Sequence, residues 1–101
     1  MDATITSTGA GETSNHRDED RGLAERVRVG DSAAIEHFCV TFGQAVARYA
    51  RRFQANLSAE EIEDITQTVL ISAVEGIDTF KQYSSLKTWV LRIAHHKLVD
   101  A

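Results

Sequence analysis

The 101-residue sequence contains no proline and only one cysteine, Cys39. The absence of proline removes the strongest helix breaker and favours a helical chain. A single cysteine excludes an internal disulfide and any metal site built from several thiolates. No apolar run approaches the roughly 18 residues that span a bilayer, and the polar, acid-containing start is unlike a signal peptide. The sequence therefore predicts a cytoplasmic protein with no membrane partner.

Charge is distributed unevenly along the chain, whose net value is −4. Residues 1–21 carry two arginines against five acids, and residues 22–80 carry five arginines against nine acids. Residues 81–101 reverse the sign, with four bases against one acid. A phosphate backbone responds to the local field, so the last segment can face nucleic acid although the whole chain is acidic. The asymmetry indicates different partners for different surfaces.

The first 21 residues are rich in Thr, Ser, Gly and Asp, and Ile5 is their only large apolar residue after Met1. Such a segment cannot bury enough surface to offset the entropy lost on ordering. We predict a disordered N-terminal tail over residues 1–21 and a folded domain over residues 22–101.

Four helices are predicted in the remaining chain. A short leading helix over residues 23–29 ends at Gly30, and Asp31 can cap the next helix. Ser58 and Glu61 have the spacing of a capping box, and Ser85 can cap a last helix. Apolar residues recur at helical spacing in three segments. The first contains Ile35, Phe38, Phe42, Val46, Tyr49 and Phe53; the second Ile62, Ile65, Val69, Ala73 and Ile77; the third Leu86, Trp89, Val90, Ile93 and Leu98. The predicted fold is all-α, a small helical bundle of three main helices plus a short leading helix.

Two surfaces differ in chemistry. Six acids and no lysine or arginine lie between residues 60 and 78. A solvated acidic face is the simpler interpretation, but a helix without compensating bases can also dock on a basic partner. Residues 80–97 instead combine bases with aromatics, as proteins that hold single-stranded nucleic acid do. Trp89 has core spacing and Phe80 is predicted to be core as well, which leaves Tyr83 as the aromatic contact.

The residues do not predict an enzyme, a cofactor, a metal site or a small-molecule substrate. His95 and His96 are adjacent, so on a helix they point about 100° apart and cannot form an i,i+4 metal pair. Cys39 lies in a helix with no base close in sequence, which favours a buried, inert thiol. The chain has no nucleophile motif and no phosphate-cradling glycine loop.

Three segments resemble, in order, the extracytoplasmic-function (ECF) sigma factors of bacteria. Residues 30–38 resemble the first-helix signature, in which Gly-Asp precedes an Ala-apolar-Glu pattern. Residues 63–70 are similar to Glu-Asp-apolar-x-Gln-x-Val-Phe, the core-binding segment. Residues 80–94 are similar to Phe, a loop, then apolar-x-Thr-Trp-Leu-x-x-Ile-Ala, and Asp100 matches the Asp that follows. The resemblance runs from about residue 23 to residue 101 and identifies the domain as sigma factor region 2.

The resemblance implies a sigma factor domain that docks on RNA polymerase core and that recognises and opens the minus-10 promoter element. Docking on the coiled coil of the polymerase β′ subunit is assigned to Glu61, Asp64, Gln67 and Thr68. Binding of the non-template strand, and capture of one flipped base of that strand, are assigned to the last helix and the loop before it. The resemblance assigns DNA binding to Lys81, Gln82, Tyr83, Ser84, Ser85, Lys87, Thr88, Arg92, His95, His96 and Lys97.

The chain departs from the family pattern at three positions. His96 stands where Asn is usual, Leu70 where Phe is usual, and Thr68 where an acid is usual. The first departure bears on promoter preference and the other two on polymerase docking. The resemblance does not extend to region 4, the helix-turn-helix that reads the minus-35 element, and we expect that region to be absent from these 101 residues. An anti-sigma factor is a further expected partner, and the alternative function is a sigma-like domain that such a factor binds without promoter activity of its own.

Overall fold

The computed structural model describes residues 17–100, and the regular structure of these residues is entirely helical. Helix α1 spans residues 17–28, α2 Ser32–Phe53, α3 Ala59–Glu75 and α4 Leu86–Asp100, with a 3-10 turn at Ile77–Thr79 between α3 and α4. The predicted all-α class, with three main helices after a shorter one, is confirmed. None of the helices in residues 17–100 has the length and apolar character needed to cross a membrane.

Helix α1 begins earlier than the sequence predicted. Residues 17–21 are helical, whereas we expected the tail to reach residue 21 and the helix to start at residue 23. Residues 17–21 are held by polar contacts. The pattern of apolar residues, on which the predicted start was based, gives no signal of such contacts. Asp18 pairs with Arg21 at 2.6 Å, and the carboxylate of Asp20 accepts a hydrogen bond from the amide of Leu86 at 2.9 Å. The rest of the predicted tail, residues 1–16, lies outside the described residues.

The predicted helix boundaries are confirmed where capping chemistry was specified. Gly30 has a φ of 86°, the left-handed conformation that commonly ends a helix. Asp31 Oδ1 accepts from the amides of Ala33 and Ala34 at 3.0 and 3.3 Å. Ser58 Oγ accepts from the Glu61 amide at 3.0 Å, while Glu61 Oε1 accepts from the Ser58 amide at 2.8 Å. The first amides of α2 and α3 are therefore satisfied by side chains.

The core lies where α2, α3 and α4 pack against one another, and α1 closes it from one side. Fully buried side chains come from all three long helices, namely Phe38, Val46, Val69, Leu86 and Val90. Ala73 is buried as predicted, and three further alanines are buried next to larger residues that had been expected in the core: Ala34, Ala50 and Ala94. These small side chains let the helices approach closely, so their larger neighbours turn towards the edge of the core.

The larger residues that lie at the edge of the core include Ile35, Ile65 and Ile93 as well as four aromatic residues. Tyr49, Trp89 and Phe80 are only half-buried, and Phe53 is 42% exposed. The predicted apolar stripe of α2 is thus rotated towards its alanines in the last two turns. Trp89 and Phe80 nevertheless pack against the core, as expected, with their ring centroids 5.5 Å apart.

Replacing Gly30 with alanine is expected to lower the free energy of unfolding by about 1–2 kcal/mol, because an L side chain is strained at this positive φ. No atom lies within 4 Å of the position that a Cβ would take, so the cost comes from the backbone and not from a clash. Urea unfolding followed by circular dichroism measures the change.

Gly22→Ala is the matched control, because Gly22 lies inside α1 and its added Cβ would meet only Arg26 Nη1 at 3.5 Å, an ordinary contact. This substitution is expected to raise stability by about 0.5–1 kcal/mol, since alanine loses less backbone entropy in a helix than glycine does. Equal effects at the two positions would contradict the conformational assignment of Gly30.

Candidate functional site

The α3–α4 loop, residues 81–85, is closed at its base by two aromatic rings. Phe80 precedes the loop and Trp89 follows it in the first turn of α4, and the two rings pack together. The third aromatic residue of the segment behaves differently, since Tyr83 is 92% exposed. A phenol ring held this far out in water contributes almost nothing to folding, which makes it the residue of the loop best placed to stack on a ligand.

The loop backbone is turned by Gln82, whose φ of 64° is the only positive value at a non-glycine residue among residues 17–100. Gln82 Nε2 donates a hydrogen bond to the carbonyl oxygen of Arg17, 65 residues earlier, at 3.3 Å. Left-handed φ values are unfavourable for residues with a side chain and persist where surrounding contacts hold them, often at functional sites. The contact with α1 supplies such a constraint.

Ser85 caps α4, as the sequence predicted. Its hydroxyl oxygen accepts from the Thr88 amide at 3.1 Å and donates to Thr88 Oγ1 at 3.0 Å. The neighbouring Ser84 hydroxyl donates to the Ser85 carbonyl oxygen at 3.1 Å. Two of the residues predicted to bind DNA, Ser85 and Thr88, therefore also form the cap at the start of α4.

Helix α4 buries one row of residues at four-residue spacing: Leu86, Val90, Ala94 and Leu98. The opposite, exposed side brings together four residues that were predicted to bind DNA, and we call them the outer face of α4: Thr88, Arg92, His95 and His96. Lys87 and Lys97 are also exposed, but at about 100° per residue each points well away from Arg92. The predicted set therefore does not form one continuous surface.

His95 is held against the end of α2. Its Nδ1 lies 2.8 Å from the hydroxyl oxygen of Tyr49, and its ring meets the ring of Phe53 edge-on at a centroid distance of 5.7 Å. The last turn of α2 also carries Arg51 and Arg52. This contact places Tyr49 and Phe53 beside the outer face of α4, whereas Arg51 lines the groove between α2 and α3. Sequence reasoning missed it, because residues 46 positions apart carry no local signal of their contact.

Helix α3 presents an exposed row on the side opposite its buried residues. We call this the acidic row; it consists of Glu60, Asp64, Gln67, Thr68, Ile71 and Glu75. Ile71 is 58% exposed and was not predicted, although its position off the apolar stripe could have indicated an apolar surface residue. The two ion pairs found in residues 17–100 both lie within α1, so no base of the described chain pairs with this row.

Glu61 differs from the other residues predicted to bind polymerase. Its side chain is committed to the capping box, where Oε1 accepts from the Ser58 amide. Glu61 also lies about 100° around the helix from Glu60, at the margin of the acidic row. The structure therefore brings together Asp64, Gln67 and Thr68 and leaves Glu61 as a structural cap.

An open groove of about 520 Å³ runs between α2 and α3 beside the acidic row. The two helices lie close together there: a Cβ added to Gly43 would be 3.5 Å from Leu70 Cδ1. Val40, at 60% exposed, and Gln67 line the groove, which joins an apolar floor to the polar edge of α3. Cys39 also lines it, and partial burial raises the pKa of its thiol.

Residues 40–101 match the family model of sigma-70 region 2, which covers most of α2, all of α3 and α4 and the loop between them. The chain belongs to this family. The resemblance to ECF sigma factors is also confirmed, because relatives carrying that name are found among curated proteins.

Several relatives share about a third of their aligned residues with this sigma-70 region 2 chain. It is 31% identical over 81 residues to RNA polymerase sigma factor NccH of Alcaligenes xylosoxydans xylosoxydans, covering 80% of the chain and 42% of NccH. It is 32% identical over 75 residues to the ECF RNA polymerase sigma-E factor of Escherichia coli strain K12, covering 74% and 38%. CnrH of Cupriavidus metallidurans is 28% identical over 86 residues, covering 85% and 44%.

The region 2 chain thus spans about two fifths of the length of these relatives. No solved structure shows a significant match to it.

The thiol of Cys39 is expected to react slowly with iodoacetamide at pH 8. Burial raises its pKa above the ordinary value, so a smaller fraction is the reactive thiolate at any given pH than in the unfolded chain. The rate should keep rising with pH beyond the point at which the unfolded chain has reached its plateau. Alkylation followed by mass spectrometry, with the same chain in urea as control, measures both profiles; superimposable profiles would contradict the assignment.

Proposed function

We propose that this domain is the part of an RNA polymerase sigma factor that docks on core polymerase through the acidic row of α3. We further propose that it holds the unpaired non-template strand of the minus-10 element with the α3–α4 loop and the outer face of α4. The observation that carries the proposal is the 92% exposure of Tyr83 in a strained loop that leads directly into the basic helix. The role needs no catalysis and no cofactor, and it belongs in the bacterial cytoplasm, where polymerase works.

Binding to unpaired DNA follows from the balance between charge and stacking. Residues 81–101 supply only four formal positive charges, and each neutralised phosphate contributes roughly 0.7–0.9 to the salt slope. Electrostatic affinity is therefore small and easily screened. Stacking of a base on an aromatic ring is worth about 1–3 kcal/mol, which helps offset the cost of a few kcal/mol for removing the base from the duplex. A strand that is already unpaired avoids this cost.

The residues of the proposed DNA-binding surface have different roles, which we assign from the contacts that each residue makes. Arg92 is exposed at the centre of the outer face, and we assign it to a phosphate, because most hydrogen bonds from proteins to DNA go to the phosphate and sugar backbone. His95 is held by Tyr49 and Phe53, and we assign it to the wall of the surface. Tyr83 and the loop around it are then the elements that can distinguish one base from another.

Docking on polymerase is supported by the composition of the acidic row. Asp64 and Gln67 lie side by side in the row, and the exposed Ile71 follows one turn later. An apolar residue surrounded by polar ones is the arrangement found at the centre of many protein interfaces. A basic partner such as the β′ coiled coil would complement the charge that no base of the described chain balances.

The alternative, a sigma-like domain bound by an anti-sigma factor without promoter activity, is favoured by one feature. The groove between α2 and α3 offers an apolar floor that a partner helix could occupy, with Val40 exposed at its edge. The two functions separate in a pull-down with polymerase core, which the alternative predicts to be negative.

The double substitution Asp64→Arg and Gln67→Ala is expected to weaken binding to the β′ coiled coil at least about tenfold, because it places a base where a basic partner docks. Surface plasmon resonance with the immobilised coiled coil measures the affinity, and circular dichroism checks that helicity is unchanged. Glu36→Arg on the exposed side of α2 makes the same charge change away from the acidic row and should leave the affinity near that of the wild type. Wild-type affinity in the double variant would refute this docking surface.

The domain is expected to bind a single-stranded minus-10 oligonucleotide weakly and to bind the same sequence as a duplex about tenfold more weakly still. Because the promoter sequence is unknown, the oligonucleotide is the one that the chain enriches from a random single-stranded pool. Replacing residues 81–84 with a glycine-serine sequence, while keeping Ser85 as the cap, should remove the sequence preference. Fluorescence anisotropy at matched salt measures each affinity, and equal affinity for duplex and single strand would refute base capture.

Arg92→Ala gives the complementary result within the same assay. It should weaken binding to every sequence by a similar factor, because a phosphate contact carries no base preference. Arg26→Ala is the matched control, since this exposed arginine lies on α1 and its loss changes the net charge equally. A change of sequence preference in Arg92→Ala would contradict its assignment to phosphate.

A further inference from the structure

Helix α1 makes two hydrogen bonds to this region, one to the α3–α4 loop at Gln82 and one to the first residue of α4, Leu86. The carbonyl oxygen of Arg17 accepts from Gln82 Nε2, and the carboxylate Oδ2 of Asp20 accepts from the amide of Leu86 at 2.9 Å. Both contacts join residues at least 65 positions apart. Helix α1 precedes the segment that matches the region 2 family model, which starts at residue 40. An element outside that match therefore contacts the loop to which the proposed function assigns base capture.

The contact of Asp20 adds a cap that α4 could not provide for itself. The first amides of a helix have no partner within the helix, and Ser85 serves only the amide of Thr88. The amide of Leu86 is part-buried, and its side chain is fully buried, so an unpaired N–H there would be costly. Asp20 supplies the acceptor, and its negative charge lies at the positive end of the helix dipole.

The two contacts together fix the conformation of the loop. Gln82 is in the strained left-handed region, and Leu86 marks the first turn of α4. Tyr83 lies between these two clamped positions and is itself exposed. Without the clamp at residue 86, the strain at residue 82 would be released by movement of the segment between them, and Tyr83 would lose its fixed position.

We infer that Asp20 is a positioning residue for base recognition: it holds the start of α4, and through it the α3–α4 loop, in the geometry that presents Tyr83 to an unpaired base. The inference rests on the proposed DNA-binding function and adds α1 to it. Asp20 itself does not contact the DNA, because its carboxylate would be repelled by the phosphate backbone.

Because Asp20 is negatively charged, the direction in which Asp20→Ala changes DNA affinity distinguishes a positioning role from a purely electrostatic one. If Asp20 acted only through its charge, Asp20→Ala would remove a repulsive group and tighten binding to all DNA. A positioning role predicts the opposite for the preferred sequence, namely weaker binding. The ratio of the dissociation constants for a base-scrambled and the enriched oligonucleotide should fall about fivefold to tenfold, in keeping with the loss of one stacked base. Docking on the β′ coiled coil should not change, since it uses α3.

Two matched variants complete the experiment in the full chain. Asp20→Asn removes the charge but keeps a side-chain oxygen that can accept from the Leu86 amide, and it should retain most of the sequence preference. Asp18→Ala removes the same charge two residues earlier, where the carboxylate pairs with Arg21, and it should retain the preference as well. Circular dichroism melting verifies that each variant is folded.

Amide hydrogen exchange tests the clamp without DNA. The amide of Leu86 should exchange faster in Asp20→Ala and near the wild-type rate in Asp20→Asn; an unchanged rate in Asp20→Ala would overturn the inference. Sequence preference that survives in Asp20→Ala would also overturn it while leaving the proposed function intact. A wild-type chain that shows no preference among single strands would instead overturn the proposed function, and the positioning role with it.

Discussion

The rotation of α4 about its own axis is the constraint on which the proposed DNA-binding surface depends. A row at four-residue spacing, from Leu86 to Leu98, is buried against α2 and α3. Burial of that row fixes which residues lie on the opposite side of the helix, so Arg92 and His95 face outward. The row also begins at the first residue of the helix, so the loop has to end where Leu86 enters the core. The position of Tyr83 is a consequence of that anchor.

The same packing separates two surfaces of opposite sign. Helices α3 and α4 contact each other through their buried rows, so the acidic row of α3 and the outer face of α4 point in different directions. Exposed charges interact strongly only within about 8–10 Å at physiological salt. The base-rich end of a chain whose net charge is −4 can therefore present a positive field to a phosphate strand, while α3 presents a negative one to a protein.

Three residues of the proposed binding segments are not explained by folding alone. Tyr83 and Ile71 are exposed although both would be more stable in a core, and Gln82 adopts a backbone conformation that disfavours a side chain. Local departures of this kind are expected where a protein binds something else. The network of hydrogen bonds around them, through Ser85, Thr88 and Asp20, keeps the exposed segment ordered without burying it.

The sequence by itself determined the three long helices, the caps that their own neighbouring residues provide, and the family. Gly30, Asp31, Ser58 and Ser85 act on amides or carbonyls within a few residues of themselves, so their roles can be predicted from short spacings. Apolar periodicity likewise predicts that a helix has a buried side, and three motifs in order were enough to indicate sigma factor region 2.

Only the tertiary structure decided which side is buried and what the polar residues touch. Periodicity leaves the phase of a helix uncertain by about one residue. Close packing buried Ala50 in preference to Tyr49 and Ala94 in preference to Ile93. The pairing of His95 with Tyr49, and that of Asp20 with Leu86, join residues 46 and 66 positions apart. No local pattern encodes such contacts, because they exist only once the helices have packed and brought the partners within reach.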